Sequence, residues 1–493
     1  MKNEKPGIVF GVSVAIVVAL VAVGALAPAF LQEVSSTGLS WVTGNFSWFY
    51  MLVTTALVFV CLFLGIGPYR KIKLGKKDEQ PQYTFFTWLG LIFAAGMGVG
   101  LVFWGTAEPI LHYINPPPGY EAETEEAARA ALMYSVFHWS LQPWGVYAVV
   151  GLTIAFFKFR KERPGLISHA FYPLLGDRVE GGIGKFLNII AIIATAIGVA
   201  TTFGLSAMQV SGGVSEVFDV PNNNISQLII IAIITVLFMT SALSGVNKGI
   251  RYLSIGNLVI ATVLLIAVLS LGPTAFLLES FTTALGSYLN NYLDLSLSLA
   301  PHSDGQWYGE WTIFFWAWGI AWAPYVGMFV ARVSRGRTIQ EFIFGVLIVP
   351  AVLGAVWFVV FGGTALDMQM NGVADIAGQT EGNEELALFL MLQNLPAGMI
   401  LSILGLLLIT IFFITSADSA SYVLSVLSSK GTLSPGKFVR LVWGGLISGT
   451  AAVLLLSGGL EALRSVAIIA ALPFSLVILL MVASLLKGLH NEE

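Results

Sequence analysis

Six aromatic side chains sit on two apolar stretches of this chain, Trp139, Trp144 and Tyr147 on one and Trp316, Trp318 and Trp322 on the other. Trp144 and Tyr147 are three residues apart and Trp318 and Trp322 four, so each pair shares one face of a helix. Aromatic faces attract a cation that has no N–H to donate, such as a quaternary ammonium, by roughly 2 kcal/mol or more per desolvated contact. A single tryptophan more often fills a membrane core or an interfacial belt. Six of them on two stretches, one interrupted by glycine and proline, favour a binding site.

Other reactive groups are sparse. Asp418 is a carboxylate inside an apolar run and a functional candidate by default, with a hydrogen bond that locks helices as the competing role. His138 borders the aromatic cluster, where a packed neutral imidazole is the commoner state. Glu108 closes an apolar stretch where it can pair near an outer gate. Gly431 to Lys437 spells a phosphate loop until Phe438 replaces the required Ser or Thr, and it joins two apolar helices rather than a strand and a helix. No His-Glu-x-x-His, nucleophile elbow or Cys/His cluster occurs, so the sequence gives a membrane enzyme nothing to work with.

The elements that position these residues must cross a bilayer. Of 493 residues, 56% are apolar and 11% charged, against about 25% charged in soluble domains, and the mean hydropathy is +0.83. Roughly 20 apolar residues span the hydrocarbon as a helix. Apolar runs between charged or Pro/Gly-rich breaks predict twelve, near 7–28, 46–67, 84–105, 128–157, 186–211, 226–244, 253–272, 311–332, 339–362, 398–426, 437–457 and 464–486. The segment 274–299 reads as an amphipathic surface helix. Ala25-Leu26-Ala27 imitates a signal-peptide cleavage site, but an uncleaved first span is the simpler reading. The lone Cys61 cannot form an internal disulfide, and a net charge of −4 with no basic domain excludes nucleic acid as a partner.

Basic residues give the orientation. Of the 24 Lys and Arg, 22 fall at the termini or in the loops after the even-numbered spans, and only Arg129 and Arg464 lie opposite. The opposite loops collect acid, including Glu121, Glu123, Glu125, Glu126, Asp375, Glu381, Glu384 and Glu385. Both termini are expected in the cytoplasm.

Spans 3 and 8 carry matching irregularities, Gly96-Met97-Gly98-Val99-Gly100 and Trp318-Gly319-Ile320-Ala321-Trp322-Ala323-Pro324. Each opens a block of five spans. Broken helices at corresponding positions of two halves point to a transport site at an inverted-repeat interface. The expected fold is therefore an all-α polytopic membrane protein with a LeuT-type five-plus-five core. Residues 1–83 supply two peripheral helices and 84–272 the first repeat, 273–310 the connecting amphipathic helix and loop, 311–486 the second repeat, and 487–493 a short tail.

At this point a family resemblance emerges. The stretch Trp311 to Phe342, WTIFFWAWGIAWAPYVGMFVARVSRGRTIQEF, resembles the signature of the betaine/carnitine/choline transporter family. Gly96 to Gly100, His138 to Trp144 and Thr415-Ser416-Ala417-Asp418-Ser419 support it, and the likeness runs from about residue 7 to 486. It implies homotrimers in the bacterial cytoplasmic membrane that take up compatible solutes, with no enzymatic activity and no cofactor. Trp139, Trp144, Tyr147 and Trp322 would contact the solute, with Trp318 bordering the pathway. Many relatives carry a tryptophan where this chain has Gly319, which would enlarge the pocket. Choline-transporting relatives tend to place aspartate at the position of Gly100, so a zwitterion such as glycine betaine fits better than choline.

The resemblance also implies a sodium site built from the carbonyls of Ala94 and Met97 on span 3 and, on span 10, the carbonyl of Phe412 with the hydroxyls of Thr415 and Ser416. Such hydroxyls otherwise back-bond to a carbonyl one turn earlier. A second ion site is half present, Thr195 matching and Val199 replacing a hydroxyl. Spans 5 and 7 contain no Lys or Arg to stand in for sodium, which disfavours the alternative of a sodium-independent carnitine-type exchanger. The alternative from another class, an ion channel, needs a polar lining or repeated filter that is not evident here. With about seven residues after span 12, little intrinsic activation by osmolality is expected.

Overall fold

The computed structural model describes residues 7–96, 98–244, 247–301 and 305–492. The chain is all-helical, and its β-type pairing among the described residues is one isolated bridge, Lys73 to Thr338. In order, the main helices are α1 (Ile8–Leu26), α2 (Pro28–Ile66), α3 (Phe85–Gly96), α4 (Val99–Ile114), α5 (Glu125–Trp139), α6 (Leu141–Ala155), α7 (Gly182–Phe218), α8 (Asn224–Ser244), α9 (Asn247–Leu271), α10 (Thr274–Asn290), α11 (Phe314–Val333), α12 (Ile339–Met370), α13 (Gly398–Ser428) and α14 (Lys437–His490). Ten helical stretches among the described residues are long and apolar enough to cross a membrane. The protein is a polytopic membrane protein.

The stretches differ in how they use their apolar surface. Those around α5–α6 and α11 bury 89% of their most apolar window, whereas the one in α9 buries 17%. Val236, Val259 and Ile266 on α8 and α9 project outward, as side chains facing lipid do, while α5, α6, α7 and α11 form the interior. Helix starts follow local chemistry. Thr338 and Glu341 close a capping box at the head of α12, with Glu341 N–H donating to Thr338 Oγ1 at 3.2 Å and Thr338 N–H to Glu341 Oε2 at 2.9 Å. Thr124 caps α5 through Ala127 N–H at 3.1 Å, followed by Glu125 and Glu126 in the first turn.

Two backbone expectations are corrected. Span 8 is not broken: α11 runs unbroken through Gly319 and past Pro324, because one proline removes a single hydrogen bond and kinks a helix more readily than it ends it. Span 4 is broken instead, at Ser140 (φ −99, ψ −121), between α5 and α6. The division expected between spans 11 and 12 is present: Gly458 (φ 170) and Gly459 (φ 59) leave the helical region and split α14 into two helical parts. The predicted break in span 3 is present: α3 ends at Gly96 and α4 begins after Gly98 (φ −122, ψ −152).

Candidate functional site

The two interrupted helix pairs and continuous α11 meet around one cavity, lined by Trp139, Trp144, Tyr147, Trp318, Gly319 and Trp322 among others. All six residues expected at the substrate site are thus brought together. Each local feature has a sequence cause. Pro143 lacks an N–H, and in the first turn of α6 that loss is harmless, so the helix restarts at Leu141 and leaves Ser140 outside the helical region. That restart separates Trp139, at the end of α5, from Trp144 and Tyr147 on α6. The last two rings meet edge to face at 5.5 Å.

The rings are held by their edges. Trp318 Nε1 donates to Thr202 Oγ1 at 3.2 Å, Trp322 Nε1 to the Gly198 carbonyl at 2.9 Å, and Trp139 Nε1 to Glu108 Oε2 at 2.8 Å. With these three indole N–H groups engaged, what those rings have left for a ligand is the π face. Trp139 and Trp318 stand at 87° with centroids 5.9 Å apart. Gly100 makes this closure possible, since a Cβ there would lie 2.4 Å from the Trp318 ring and 3.0 Å from Trp139. A Cβ at Gly319 would meet Pro143 at 3.6 Å and the Tyr147 hydroxyl at 3.8 Å, ordinary contact distances. The sixth aromatic of the sequence cluster, Trp316, turns away and points its Nε1 at Met51 Sδ, 3.2 Å off.

Several contributors were not singled out as site residues from sequence. Phe315 lines the cavity and was legible, because Phe315, Trp318 and Trp322 form an i, i+3, i+7 stripe. Thr202, on α7, had no such signal. Glu108 and His138 prove to be one unit. Fully buried Glu108 takes His138 Nδ1 at 2.6 Å and His112 Nε2 at 3.2 Å on Oε1, and His138 Nε2 lies 2.9 Å from Thr312 Oγ1. One ligand atom from each of Glu108, His112 and His138 falls within 4.8 Å of the others. Direct hydrogen bonds already join them, so the cluster acts as a brace behind Trp139. Asp418 pairs with Arg440, Oδ1 to Nη2 at 3.1 Å, which ties α13 to the first turn of α14.

Of the residues expected to hold sodium, Met97 lies outside the described residues and Ala94 is in the last turn of α3. A Cβ on Gly98 would stand 3.9 Å from Ser416 Oγ, so the α3–α4 interruption abuts α13 where Thr415 and Ser416 sit. Thr415 Oγ1 donates back to the Ile411 carbonyl at 2.9 Å, which leaves its lone pairs available. Thr195 Oγ1 likewise donates to Ala191 at 2.7 Å, and Val199 is buried one turn on.

A cavity walled by aromatic faces, set at helix interruptions in a polytopic bundle, suits carriage of a small molecule. Comparison with known proteins agrees. A family model described as BCCT, betaine/carnitine/choline family transporter, matches residues 8–493. The chain is 49% identical to the glycine betaine transporter OpuD of Bacillus subtilis, covering 98% of this chain and 94% of that protein. It is 43% identical to the ectoine/hydroxyectoine transporter of Virgibacillus pantothenticus (98% and 97% covered) and 41% identical to glycine betaine transporter 1 of Vibrio parahaemolyticus (98% and 94%). These relatives are transporters and not enzymes, and with near full-length matches on every side this chain belongs to the betaine/carnitine/choline transporter family.

Proposed function

We propose that the chain imports a small zwitterionic osmolyte, glycine betaine or a somewhat larger solute such as ectoine, by sodium-coupled symport. The observation that carries this reading is the composition of the cavity wall: aromatic faces for a quaternary or amidinium-type cation, and no carboxylate or ammonium side chain among the lining residues. An uncompensated cation would leave its charge unbalanced there, whereas a zwitterion brings its own counter-charge. The similarity to carriers named for glycine betaine and for ectoine supports both candidates.

Sodium is placed between the α3–α4 interruption and α13, with the Ala94, Met97 and Phe412 carbonyls and the Thr415 and Ser416 hydroxyls as ligands. The nearness of Gly98 to Ser416, whose Oγ would lie 3.9 Å from a Cβ at residue 98, supports it. Alternating access follows the five-plus-five scheme. The α3–α4 pair and the two parts of α14 on either side of its kink each count as crossings, which brings ten apolar stretches to twelve. Termini in the cytoplasm and a trimeric assembly complete the reading.

Uptake of radiolabelled glycine betaine and ectoine into proteoliposomes, with and without an inward sodium gradient, tests it. Gradient-dependent accumulation is expected, and equal rates in both conditions would return the protein to the exchanger class. The double variant Thr415→Ala/Ser416→Val should lose two oxygen ligands and nearly all sodium-driven uptake while remaining folded; unchanged sodium dependence there would overturn the ion site.

A further inference from the structure

Above the cavity, toward the acidic loops, a second cluster gathers around Arg464. The Arg464 guanidinium lies 4.9 Å from the ring centroids of Trp104 and Trp311 and 5.2 Å from that of Phe314. Its Nε and Nη2 are both buried and hydrogen-bond to nothing among the described residues. Glu108, Glu310, Glu384 and Glu461 all act on it through space, yet among the described residues none comes within the 4.0 Å of an ion pair. A buried donor left unmatched is costly, and a charged one more so. Such a group needs a reason, and here the reason is positional.

Arg464 lines neither of two nearby open spaces but is linked to both through its neighbours. On its outer side Glu461, three residues earlier on α14, and Glu310 line a crevice together with Trp48 and Tyr308. On its inner side Phe314 stacks on Trp318 at 5.6 Å with 12° between planes, and Trp104 meets Phe315 at 5.6 Å. Trp318 and Phe315 are themselves cavity walls. One layer of rings therefore separates the guanidinium from the cavity.

We infer that Arg464 recognises the carboxylate of the solute on its way in, an inference that rests on the zwitterionic-solute reading above. Nε and Nη2 form one edge of the guanidinium, two parallel donors spaced for the two oxygens of a carboxylate. The aromatic rings surround the guanidinium but accept no hydrogen bond from Nε or Nη2, which leaves that edge for the ligand. A carboxylate seated there puts the cationic end of the same solute beside the Trp104–Phe315 ring pair, directly above the cavity. Choline, which is cationic and lacks a carboxylate, has no pair of oxygens to accept from this edge and is repelled by its charge. Arg464 is thus a specificity residue on the access route, distinct from the residues that line the cavity.

The test uses proteoliposomes of the full chain. Initial rates of glycine betaine and ectoine uptake are measured for wild type, Arg464→Gln and Arg464→Lys, with choline as competing inhibitor. Arg464→Gln should raise KM for both zwitterions roughly tenfold, with turnover changed less than threefold and inhibition by choline strengthened. Arg464→Lys keeps the charge but not the fork, so it should fall between. It also keeps the test decisive if the Gln variant does not fold, since a wild-type KM and choline inhibition in the Lys variant would then overturn the role. A purely structural arginine would lower turnover for every solute alike and leave the ratio of zwitterion KM to choline inhibition unmoved, which would equally overturn the inference. Normal wild-type uptake with an unchanged KM in Arg464→Gln overturns this inference alone. Failure of the wild type to take up either zwitterion overturns the functional reading, and this inference with it.

Discussion

The helices that wall the cavity reach it by two different means. On one side the backbone is interrupted twice, between α3 and α4 at Gly98 and between α5 and α6 at Ser140. On the other, α11 passes as one helix and presents Trp318, Gly319 and Trp322 on a continuous face. The interrupted side can offer backbone oxygens and helix ends to a ligand or ion, whereas the continuous side can offer only side chains and the gaps between them. A cation held by π faces needs rigid rings, and a hard ion needs free carbonyls. The rings come from both sides, Trp139, Trp144 and Tyr147 from α5–α6 and Trp318 and Trp322 from α11, whereas free backbone oxygens can come only from the interrupted side.

Gly100 is where the two sides touch, so it gives the largest expected effect. A Cβ at this position would enter the Trp318 ring at 2.4 Å, with Trp139 also crowded at 3.0 Å. Overpacking of that kind costs about 1–3 kcal/mol, and here the atoms that must give way form the cavity wall. Gly100→Ala is expected to reduce uptake by at least about tenfold. Gly98→Ala is the control, since its Cβ meets only Ser416 Oγ at 3.9 Å and its φ of −122 suits any residue. Equal losses in the two variants, measured as initial uptake rates at matched expression, would show that the interruption needs glycine for flexibility and not for the approach of the tryptophans.

Gly319 probes the continuous side. Its first added atom has room, at 3.6 Å from Pro143 and 3.8 Å from the Tyr147 hydroxyl, and an indole burying roughly 200 Å² would fill the rest of the gap. Gly319→Trp should shift preference several-fold toward glycine betaine and exclude a bulkier solute such as ectoine or carnitine. Competition of labelled uptake by a panel of solutes reads this directly. Identical selectivity in wild type and variant would mean that a neighbouring ring, Phe315 or Tyr325, already closes the space.

How much of this was legible beforehand follows from the same contrast. The aromatic residues of the site could be read because their spacing repeats on a helix and their chemistry is uncommon in such density. The Gly-x-Gly-x-Gly interruption could be read because several weak helix formers in one turn add their penalties. The α5–α6 interruption was not read, although Gln142-Pro143 is a helix-start signal within an apolar run; hydropathy registers the run and is blind to the restart. Glu108 was legible as an odd charge, but its bond to Trp139 depends on how α4 crosses α5, which no local pattern encodes. Thr202 and Arg464 belong to the same class, since both take their meaning from helices distant in sequence.

Pro324 carries the smallest expected effect and the sharpest test of the contrast. Span 8 was expected to break at Gly319–Pro324, yet α11 continues to Val333 with the proline buried inside it. If continuity is the working state, then restoring the missing donor should be harmless. In Pro324→Ala an N–H returns that can bond the carbonyl of Ile320, one turn back, and the ring that crowded that turn is gone. Uptake should stay within about threefold of wild type, and thermal stability in detergent should hold or rise by a few degrees. A loss to below about a tenth, with the protein folded and the melting temperature raised, would mean that the kink flexes during transport. Both sides of the cavity would then work as interrupted helices, one broken at rest and the other only in motion.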